Sequence, residues 1–321
     1  MLVKTIIKIA KYLSNFKFSN NIIKKKIYSL TFIFIENFIF NNNKLDYLID
    51  LKRKKNTNIN IFVVPFWGEI YTKSFFENLL PSLRSKNNLE WIKKNYNIEI
   101  HLYVDSNFKI FQKKFGITNK FFKSYNFKIS SIESFVDKNR DILSSKILNP
   151  YIDHAKKCLK QNAMSINICA DFILPENYLK NIALITHGKP FCYTHTQIRT
   201  NKSIIKEIKK FRKNNKIEID SENLVNLSLK HPFHHLAYQN DRLSKNATHY
   251  GISWRKIDDK TYSVVHGILG TFTFNFIKED IYFLENLKKW SGHDRILPNY
   301  LLTSKRMKYI SSSNLALVVE V

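Results

Sequence analysis

Short apolar runs and longer apolar stripes take turns along the middle of the chain. The runs are rich in β-branched residues and predict buried strands at residues 58–64, 98–104 and 165–170. The stripes have helical spacing and predict helices at residues 71–83, 150–161 and 175–182. Strands that alternate with helices in this way indicate an α/β domain with a mostly parallel sheet flanked by helices.

The later part of the chain carries the same two patterns over shorter segments. They predict strands at residues 183–186, 191–194 and 315–319, and helices at residues 202–214, 221–230 and 279–290. Residues 248–256 and 261–266 flank a polar turn, which predicts a β-hairpin.

Residues 1–57 have a different character, because they are helical in pattern and end in a Lys- and Asn-rich segment. Lys4, Lys8 and Lys11 fall on one helical face, opposite apolar residues. Such a basic amphipathic helix can lie on an anionic membrane surface, which we expect of residues 1–26, or it can pack on the main domain. The apolar run at residues 27–40 is shorter than the ~20 residues that a spanning helix needs.

The net charge is large, but the residues that supply it make it weak evidence for a nucleic-acid partner. The 321 residues include 52 Lys and Arg against 26 Asp and Glu, a formal net charge of +26. Lys supplies 43 of the basic residues and Arg only 9, and the accompanying abundance of Asn and Ile is what A/T-rich codons produce. Because recognition of bases and phosphates relies largely on Arg, we expect no specific nucleic-acid partner.

Other compositional features exclude whole classes of protein. Hydrophobic residues make up 44% and aromatic residues 14% of the chain, which excludes extensive disorder. The three cysteines have no paired spacing, so they exclude a disulfide framework and indicate a cytoplasmic protein. Neither GxGxxG nor GxxxxGK[ST] is present, which argues against dinucleotide oxidoreductases and P-loop kinases.

Candidate chemistry lies where predicted strands end. Asp105 and Asp171 follow two of these strands, and residues 65–69 follow a third. In open α/β sheets, ligands bind beyond the carboxyl ends of the strands. A carboxylate there can hold a divalent cation that neutralises a diphosphate, or it can simply cap a helix or a turn.

Three sequence runs resemble the opening of nucleotide-sugar-dependent glycosyltransferases of the GT-A type. They are VVPFWGE at residues 63–69, FF with LPSL within residues 75–83, and HLYVD at residues 101–105. The resemblance is to poorly characterised bacterial proteins associated with surface polysaccharides. It implies a GT-A-like, Rossmann-like α/β domain over residues 58–321 after the basic helical appendage at residues 1–57. Residues 58–200 would form the nucleotide-binding half and residues 201–321 the acceptor half.

The same resemblance implies a hexosyltransferase-like enzyme. It would move a sugar from a nucleotide-diphosphate donor to a glycan or lipid-linked acceptor, in the cytoplasm or at the inner membrane face. The family's acidic motif, commonly Asp-x-Asp, falls here on Cys169-Ala170-Asp171, so Asp171 alone is carried over as a ligand of Mn²⁺ or Mg²⁺.

The resemblance also suggests roles for other residues. Contacts with the donor are expected from Pro65, Trp67, Asp105, Lys189 and Arg199. An inverting enzyme needs a general base, and the candidates are Glu69, Asp294 and a histidine, of which His266 lies at the end of a predicted strand.

Two other functions remain open on the sequence alone. The absence of an acid at Cys169 is compatible with a non-catalytic, basic, membrane-associated protein that has a degenerate transferase fold. The group His231, His234 and His235, with Asp294 or Asp241, would suit a metallohydrolase, but its spacing matches no known ligand pattern. We therefore favour the glycosyltransferase.

Overall fold

A computed structural model describes residues 58–137, 141–187, 192–231, 252–256, 262–266, 271–287, 306–310 and 315–321. The predicted N-terminal appendage, with its membrane-binding helix, lies outside these ranges. Among the helices of the described ranges, none combines the length and the apolar character that crossing a membrane requires.

The strands alternate with helices over the first half of the described chain. The strands are β1 (Asn58–Val63), β2 (Asn97–Val104), β3 (Phe127–Ser131), β4 (Ala163–Ile168), β5 (Phe172–Ile173), β6 (Cys192–Thr194), β7 (Thr196–Arg199), β8 (Arg212–Lys213), β9 (Lys216–Ile217), β10 (Ile252–Lys256), β11 (Tyr262–His266), β12 (Phe272–Phe274), β13 (Met307–Tyr309) and β14 (Leu317–Glu320). The helices are α1 (Gly68–Ser74), α2 (Leu80–Leu83), α3 (Leu89–Asn95), α4 (Asn107–Lys114), α5 (Asn119–Ser124), α6 (Ile142–Gln161), α7 (Tyr178–Thr186), α8 (Ile204–Ile208), α9 (Ser221–Lys230) and α10 (Lys278–Glu285). A π-helical segment (Phe75–Leu79) joins α1 to α2, and 3₁₀ turns span Ile132–Phe135 and Lys209–Phe211.

The described strands include seven that form a central sheet in the order β13-β6-β12-β4-β1-β2-β3. Strands β3, β2, β1 and β4 are mutually parallel, β12 is antiparallel to both β4 and β6, and β6 is parallel to β13. This arrangement confirms the predicted α/β class with a mostly parallel sheet flanked by helices. Because parallel strands point the same way, the ends of β1, β2 and β4 share one edge of the sheet, called here the carboxyl edge.

The parallel strands are buried on both faces, which is why they appear in the sequence as nearly continuous apolar runs. Ile59, Ile61 and Val63 of β1 pack into one core, on the side of the sheet that includes the π-helical segment. Phe62 points to the other side, where its ring lies 5.1 Å from that of Tyr151 on α6. The core therefore has two layers, one on each side of the central sheet.

A buried polar chain runs between the central sheet and α6. His101 Nε2 lies 3.1 Å from Glu99 Oε2, His101 Nδ1 lies 2.8 Å from His154 Nδ1, and His154 Nε2 lies 2.7 Å from Ser165 Oγ. Cys158 Sγ lies 3.3 Å from the same Nε2. These contacts satisfy polar groups that burial would otherwise leave without partners.

Helix α6 is longer than the sequence pattern predicts. It begins after Asp141, whose side chain accepts the backbone N–H of Ser144 at 2.8 Å, and it continues through Pro150. We predicted a start at Pro150 because proline favours the first turn of a helix. The side-chain cap at Asp141 and the buried face at Ser144, Ser145 and Leu148 place the true start eight residues earlier.

A second sheet of three strands, β5-β14-β7, lies beside the end of β4. Strand β14 is parallel to β7, with Glu320 opposite Arg199, and antiparallel to β5, with Glu320 opposite Phe172. The predicted last strand is confirmed, and the predicted hairpin is confirmed as β10 and β11. The chain thus places Glu320 close to the residues that follow β4.

Two sequence-based predictions of secondary structure are wrong. Residues 183–186 form the last turn of α7 rather than a strand, because Ile182, Ala183 and Thr186 continue its buried face. The predicted helix at residues 202–214 ends early: α8 gives way to a 3₁₀ turn, and β8 and β9 then form a tight hairpin. Asn214 and Asn215 both have positive φ in that turn, a conformation that asparagine tolerates better than most residues.

Candidate functional site

The loop after β1 runs along the carboxyl edge of the central sheet. The backbone N–H of Val64 donates to the carbonyl of Ile168 at 2.8 Å, and that of Phe66 donates to the carbonyl of Tyr103 at 3.2 Å. The loop is therefore held between the ends of β4 and β2. Helix α1 then begins at Gly68, whose φ of +75° lies in the left-handed region that favours glycine.

Asp105, the first residue after β2, is tied to this loop. Its Oδ2 accepts the backbone N–H of Gly68 at 2.9 Å and the side-chain amide of Asn107 at 2.8 Å. Its Oδ1 accepts the backbone N–H of Asn107 at 3.1 Å. Three donors therefore converge on the carboxylate, which fixes the start of α1 against the start of α4. This is a structural role, and the predicted contact of Asp105 with the donor stays a prediction.

Asp171 lies beyond the end of β4 and is half-buried. Its backbone carbonyl accepts the N–H of Val321 at 3.2 Å, which attaches it to the end of β14. Burial and, after it, the negative charge of Glu320 raise the pKa of the Asp171 carboxyl to about 7, although Arg199 acts to lower it. The carboxyl therefore changes its protonation state near neutral pH, which is a property of groups that transfer protons in reactions.

Glu320 brings a second carboxylate beside Asp171, and two residues of β7 hold it. Gln197 Nε2 donates to Glu320 Oε2 at 2.6 Å, and Arg199 Nε donates to Glu320 Oε1 at 2.8 Å. The Nη2 group of Arg199 also donates to Oε1. Both oxygens of Glu320 are thus engaged, and the guanidinium is fixed in place next to the two acids.

Tyr71 completes the site from α1. Its side chain is 52% exposed and lies one turn beyond Gly68. Burial raises the pKa of the Tyr71 hydroxyl, as do the negative charges of Asp171 and Glu320. The hydroxyl is therefore within electrostatic range of both acids. We call Tyr71, Asp171, Gln197, Arg199 and Glu320 the edge cluster.

The resemblance implies a divalent cation at Asp171, but the residues of the edge cluster do not fit one. Position 169, where the family's motif commonly has an acid, is a cysteine, and a thiol is a poor ligand for Mg²⁺ or Mn²⁺. Both oxygens of Glu320 are already hydrogen-bonded, and a guanidinium lies beside them. Across the described parts of the chain, no three His, Cys, Asp or Glu side chains form a group that could hold a metal ion.

The remaining predicted residues fall into two groups. Near the loop after β1, Pro65 is buried, Glu69 is exposed in the first turn of α1, and Trp67 has its ring 5.8 Å from the ammonium of Lys146. Others lie where side chains are not described: Lys189 and Asp294 are outside the described residues, and of His266 only the backbone, paired with Ile252, is described. Their predicted roles stay predictions. His234, His235 and Asp241, considered for a metallohydrolase, are also outside.

Sequence reasoning missed three members of the edge cluster, Tyr71, Gln197 and Glu320. Glu320 carried the signal that had pointed to Asp105 and Asp171, because it directly follows the buried apolar run 317–319. Gln197 and Arg199 alternate along β7, so their side chains share a face. Tyr71 carried no signal beyond its place near the start of a helix.

Comparison with known proteins yields similarity of structure alone. No family model matches the chain, and no curated protein sequence is similar to it. Among solved structures, a protein from Bacillus anthracis described as a glucose-1-phosphate thymidylyltransferase is similar over 82% of this chain and 89% of its own, at 11% identity and a TM-score of 0.39. The WbbM bifunctional glycosyltransferase is similar over 81% of this chain and 39% of its own, at 12% identity and a TM-score of 0.36. A 4-diphosphocytidyl-2C-methyl-D-erythritol synthase from Anaerococcus prevotii is similar over 82% and 93%, at 10% identity and a TM-score of 0.38. Because these TM-scores are below 0.5, we infer the function from the residues of the site.

Proposed function

We propose that the protein is a glycosyltransferase that moves a sugar from a nucleotide-diphosphate donor to an acceptor hydroxyl. The observation that carries the proposal is the convergence of Asp171, Arg199 and Glu320 at the carboxyl edge of a mostly parallel sheet. That edge is where open α/β folds bind ligands. A proton-transferring carboxyl and a fixed positive charge are the two groups that such a transfer requires.

The reaction assigns one task to each group. The acceptor oxygen forms a bond to the anomeric carbon, and the bond from that carbon to the diphosphate breaks, leaving its electron pair on the diphosphate. The acceptor hydroxyl loses its proton, and Asp171 is the described residue best suited to take it. Its raised pKa matches that task near neutral pH, whereas Glu69 is an exposed side chain.

The loop after β1 would shape the donor pocket. Its bonds to the ends of β4 and β2 hold the backbone from Pro65 to Gly68 rigid, as a binding site requires. The exposed ring of Tyr71 offers a surface on which a sugar or base can stack. A glycan or lipid-linked acceptor, a role in surface polysaccharide synthesis and a membrane contact through residues 1–26 belong to the same proposal.

Nucleotide binding and sugar release test the proposal separately. The full chain is heated with UDP, GDP, CDP and dTDP in turn, and one of them should raise the melting temperature by several degrees. Release of that nucleotide from its sugar conjugate is then measured, first with water and then with an added glycan as the acceptor of the sugar. Asp171→Asn keeps the size of the side chain, so it should keep nucleotide binding and lose sugar release. Glu279→Gln, an exposed position on α10, serves as the control and should change neither.

Two outcomes would contradict the proposal. If none of the nucleotides stabilises the protein, the transferase function is wrong. If a nucleotide binds but no sugar conjugate releases it, the protein is a non-catalytic member of the fold, the alternative that the sequence left open.

A further inference from the structure

The positive charge of the edge cluster belongs to the guanidinium of Arg199. Arg199 lies on β7 and pairs with Glu320 across the parallel register of β7 and β14. The Arg199 side chain is 38% exposed and that of Glu320 is 16% exposed. The guanidinium is thus anchored through Nε and Nη2 to a half-buried acid, while part of the Arg199 side chain still reaches solvent.

The surroundings of Asp171 favour a phosphate group over a metal ion. Arg199 lies opposite Glu320, and the residue after Glu320, Val321, donates its backbone N–H to the carbonyl of Asp171 at 3.2 Å, so the positive charge lies on the same side of the site as Asp171. A fixed guanidinium repels a divalent cation and attracts a diphosphate, whose oxygens fit its planar N–H groups. Glu320 is fully engaged, and position 169 offers a thiol.

We propose that Arg199 neutralises the diphosphate of the donor, in the place that a divalent cation takes in enzymes with a paired-acid motif. The inference rests on the proposed function. As the bond from the anomeric carbon to the diphosphate breaks, the electron pair goes to the diphosphate oxygen and Arg199 stays protonated. Glu320 is a positioning residue because it holds the guanidinium, and Gln197 in turn holds Glu320.

The first test is the dependence of nucleotide binding on metal. Affinities of the full chain for UDP, GDP, CDP and dTDP are measured by calorimetry in excess EDTA and again in excess manganese. We expect the nucleotide that binds to do so equally well in both, and sugar release from its conjugate to persist in EDTA. Loss of binding in EDTA with recovery in manganese would overturn the inference while leaving the proposed function intact.

The second test separates binding from folding by using the partner of Arg199. Arg199→Gln should weaken binding of the nucleoside diphosphate roughly 10- to 100-fold and leave binding of the matching nucleoside unchanged. This variant leaves Glu320 without its charged partner, so it can also destabilise the fold. The double variant Arg199→Gln with Glu320→Gln removes both charges and should restore folding but not diphosphate binding.

Each outcome of the second test decides the question. If the double variant binds the diphosphate as tightly as the natural chain, Arg199 serves only the fold and the inference is wrong. If the affinities for the nucleoside and the nucleoside diphosphate fall together, Arg199 shapes the pocket without binding the diphosphate group, and the inference is again wrong. If the natural chain binds no nucleotide, the proposed function and this inference fail together.

Discussion

Asp105 Oδ2 accepts the backbone N–H of Gly68 at 2.9 Å, so one carboxylate joins the end of β2 to the start of α1. Asp171 lies three residues beyond the end of the parallel strand β4, and its surroundings are opposite in character. Asp105 is surrounded by donors, whereas burial and a neighbouring acid raise the pKa of Asp171 to about 7. The first acid is fully hydrogen-bonded by the fold, whereas the fold disfavours the charge of the second.

Asp105→Asn should destabilise the protein. The substitution replaces one acceptor oxygen by an amide group that cannot accept the N–H of Gly68 or Asn107, so a half-buried donor loses its partner. The expected loss in free energy of unfolding is about 1–3 kcal/mol. Urea unfolding at neutral pH measures it, and an unchanged midpoint would show that the hydrogen bonds to the replaced oxygen contribute nothing to stability.

Asp171→Asn should stabilise the protein at alkaline pH. A carboxyl whose pKa rises on folding, from 3.8 to about 7, binds a proton in the folded state within that range. Stability from this group is therefore lost as pH rises from about 4 to 7, and the penalty is complete above pH 7. The asparagine variant avoids a penalty on the order of a few kcal/mol at most.

The measurement for Asp171→Asn is urea unfolding at a series of pH values. The variant should be more stable than the natural chain at pH 8, and the difference should disappear near pH 4, where both side chains are neutral. A variant that is less stable at pH 8 would show that the fold relies on the Asp171 charge. Combined with loss of sugar release, the expected result would mark Asp171 as a residue kept for function at a cost in stability.

The sequence was sufficient to locate the part of the site that follows the long buried strands. The apolar runs at β1, β2 and β4 are long and buried on both faces, so their ends, and with them Asp105 and Asp171, could be located from pattern alone. The role of each acid could not be located in this way. It depends on partners far away in the chain, such as Glu320 for Asp171, and a periodic pattern carries no information about such pairing.

Short elements account for the errors in secondary structure. Residues 183–186 form a short, mostly apolar run, which suits a strand, but packing of α7 against the core decided the outcome. The hairpin of β8 and β9 has strands of only two residues, too short for any periodicity. Strand β3 has a single buried residue, Phe127, and the sequence pattern therefore missed it.

Gly68→Ala should lower stability and weaken nucleotide binding, although it adds only one methyl group. The residue has φ of +75°, and a Cβ there would meet nothing within 4 Å, so the cost comes only from the backbone conformation. We expect a loss of about 1 kcal/mol in free energy of unfolding and weaker nucleotide binding, because relaxation of φ shifts the N–H that Asp105 holds.

Gly116→Ala is the matched control for Gly68→Ala. Gly116 has φ of +63°, and a Cβ there would also meet nothing within 4 Å, but it follows α4, away from the edge cluster. It should cost a similar amount of stability and leave nucleotide binding unchanged. Equal binding by the two variants would show that the backbone conformation at Gly68 does not affect the site.

The buried pair His101 and His154 should make the protein sensitive to acid. Burial lowers the pKa of His101 despite its bond to Glu99, and burial followed by the charge of His101 and Lys157 lowers that of His154 well below 6.5. Glu99 is ionised, since hydrogen bonds from Gln161 and His101 lower its pKa against the effect of burial. His101 Nε2–H therefore donates to Glu99, His154 Nδ1–H donates to His101, and both rings are neutral.

The sign of the pH dependence follows from these lowered pKa values. Below about pH 6.5 the unfolded chain takes up protons on both histidines, while the folded chain does not, so stability falls as the pH falls. Each histidine contributes up to about 1.4 kcal/mol per pH unit. Urea unfolding between pH 8 and pH 5 should therefore show a shallower decline for His154→Gln than for the natural chain. His231→Gln, at the end of α9 and outside the buried pair, should keep the natural decline. The same slope in His154→Gln as in the natural chain would mean that His154 is protonated in the folded protein.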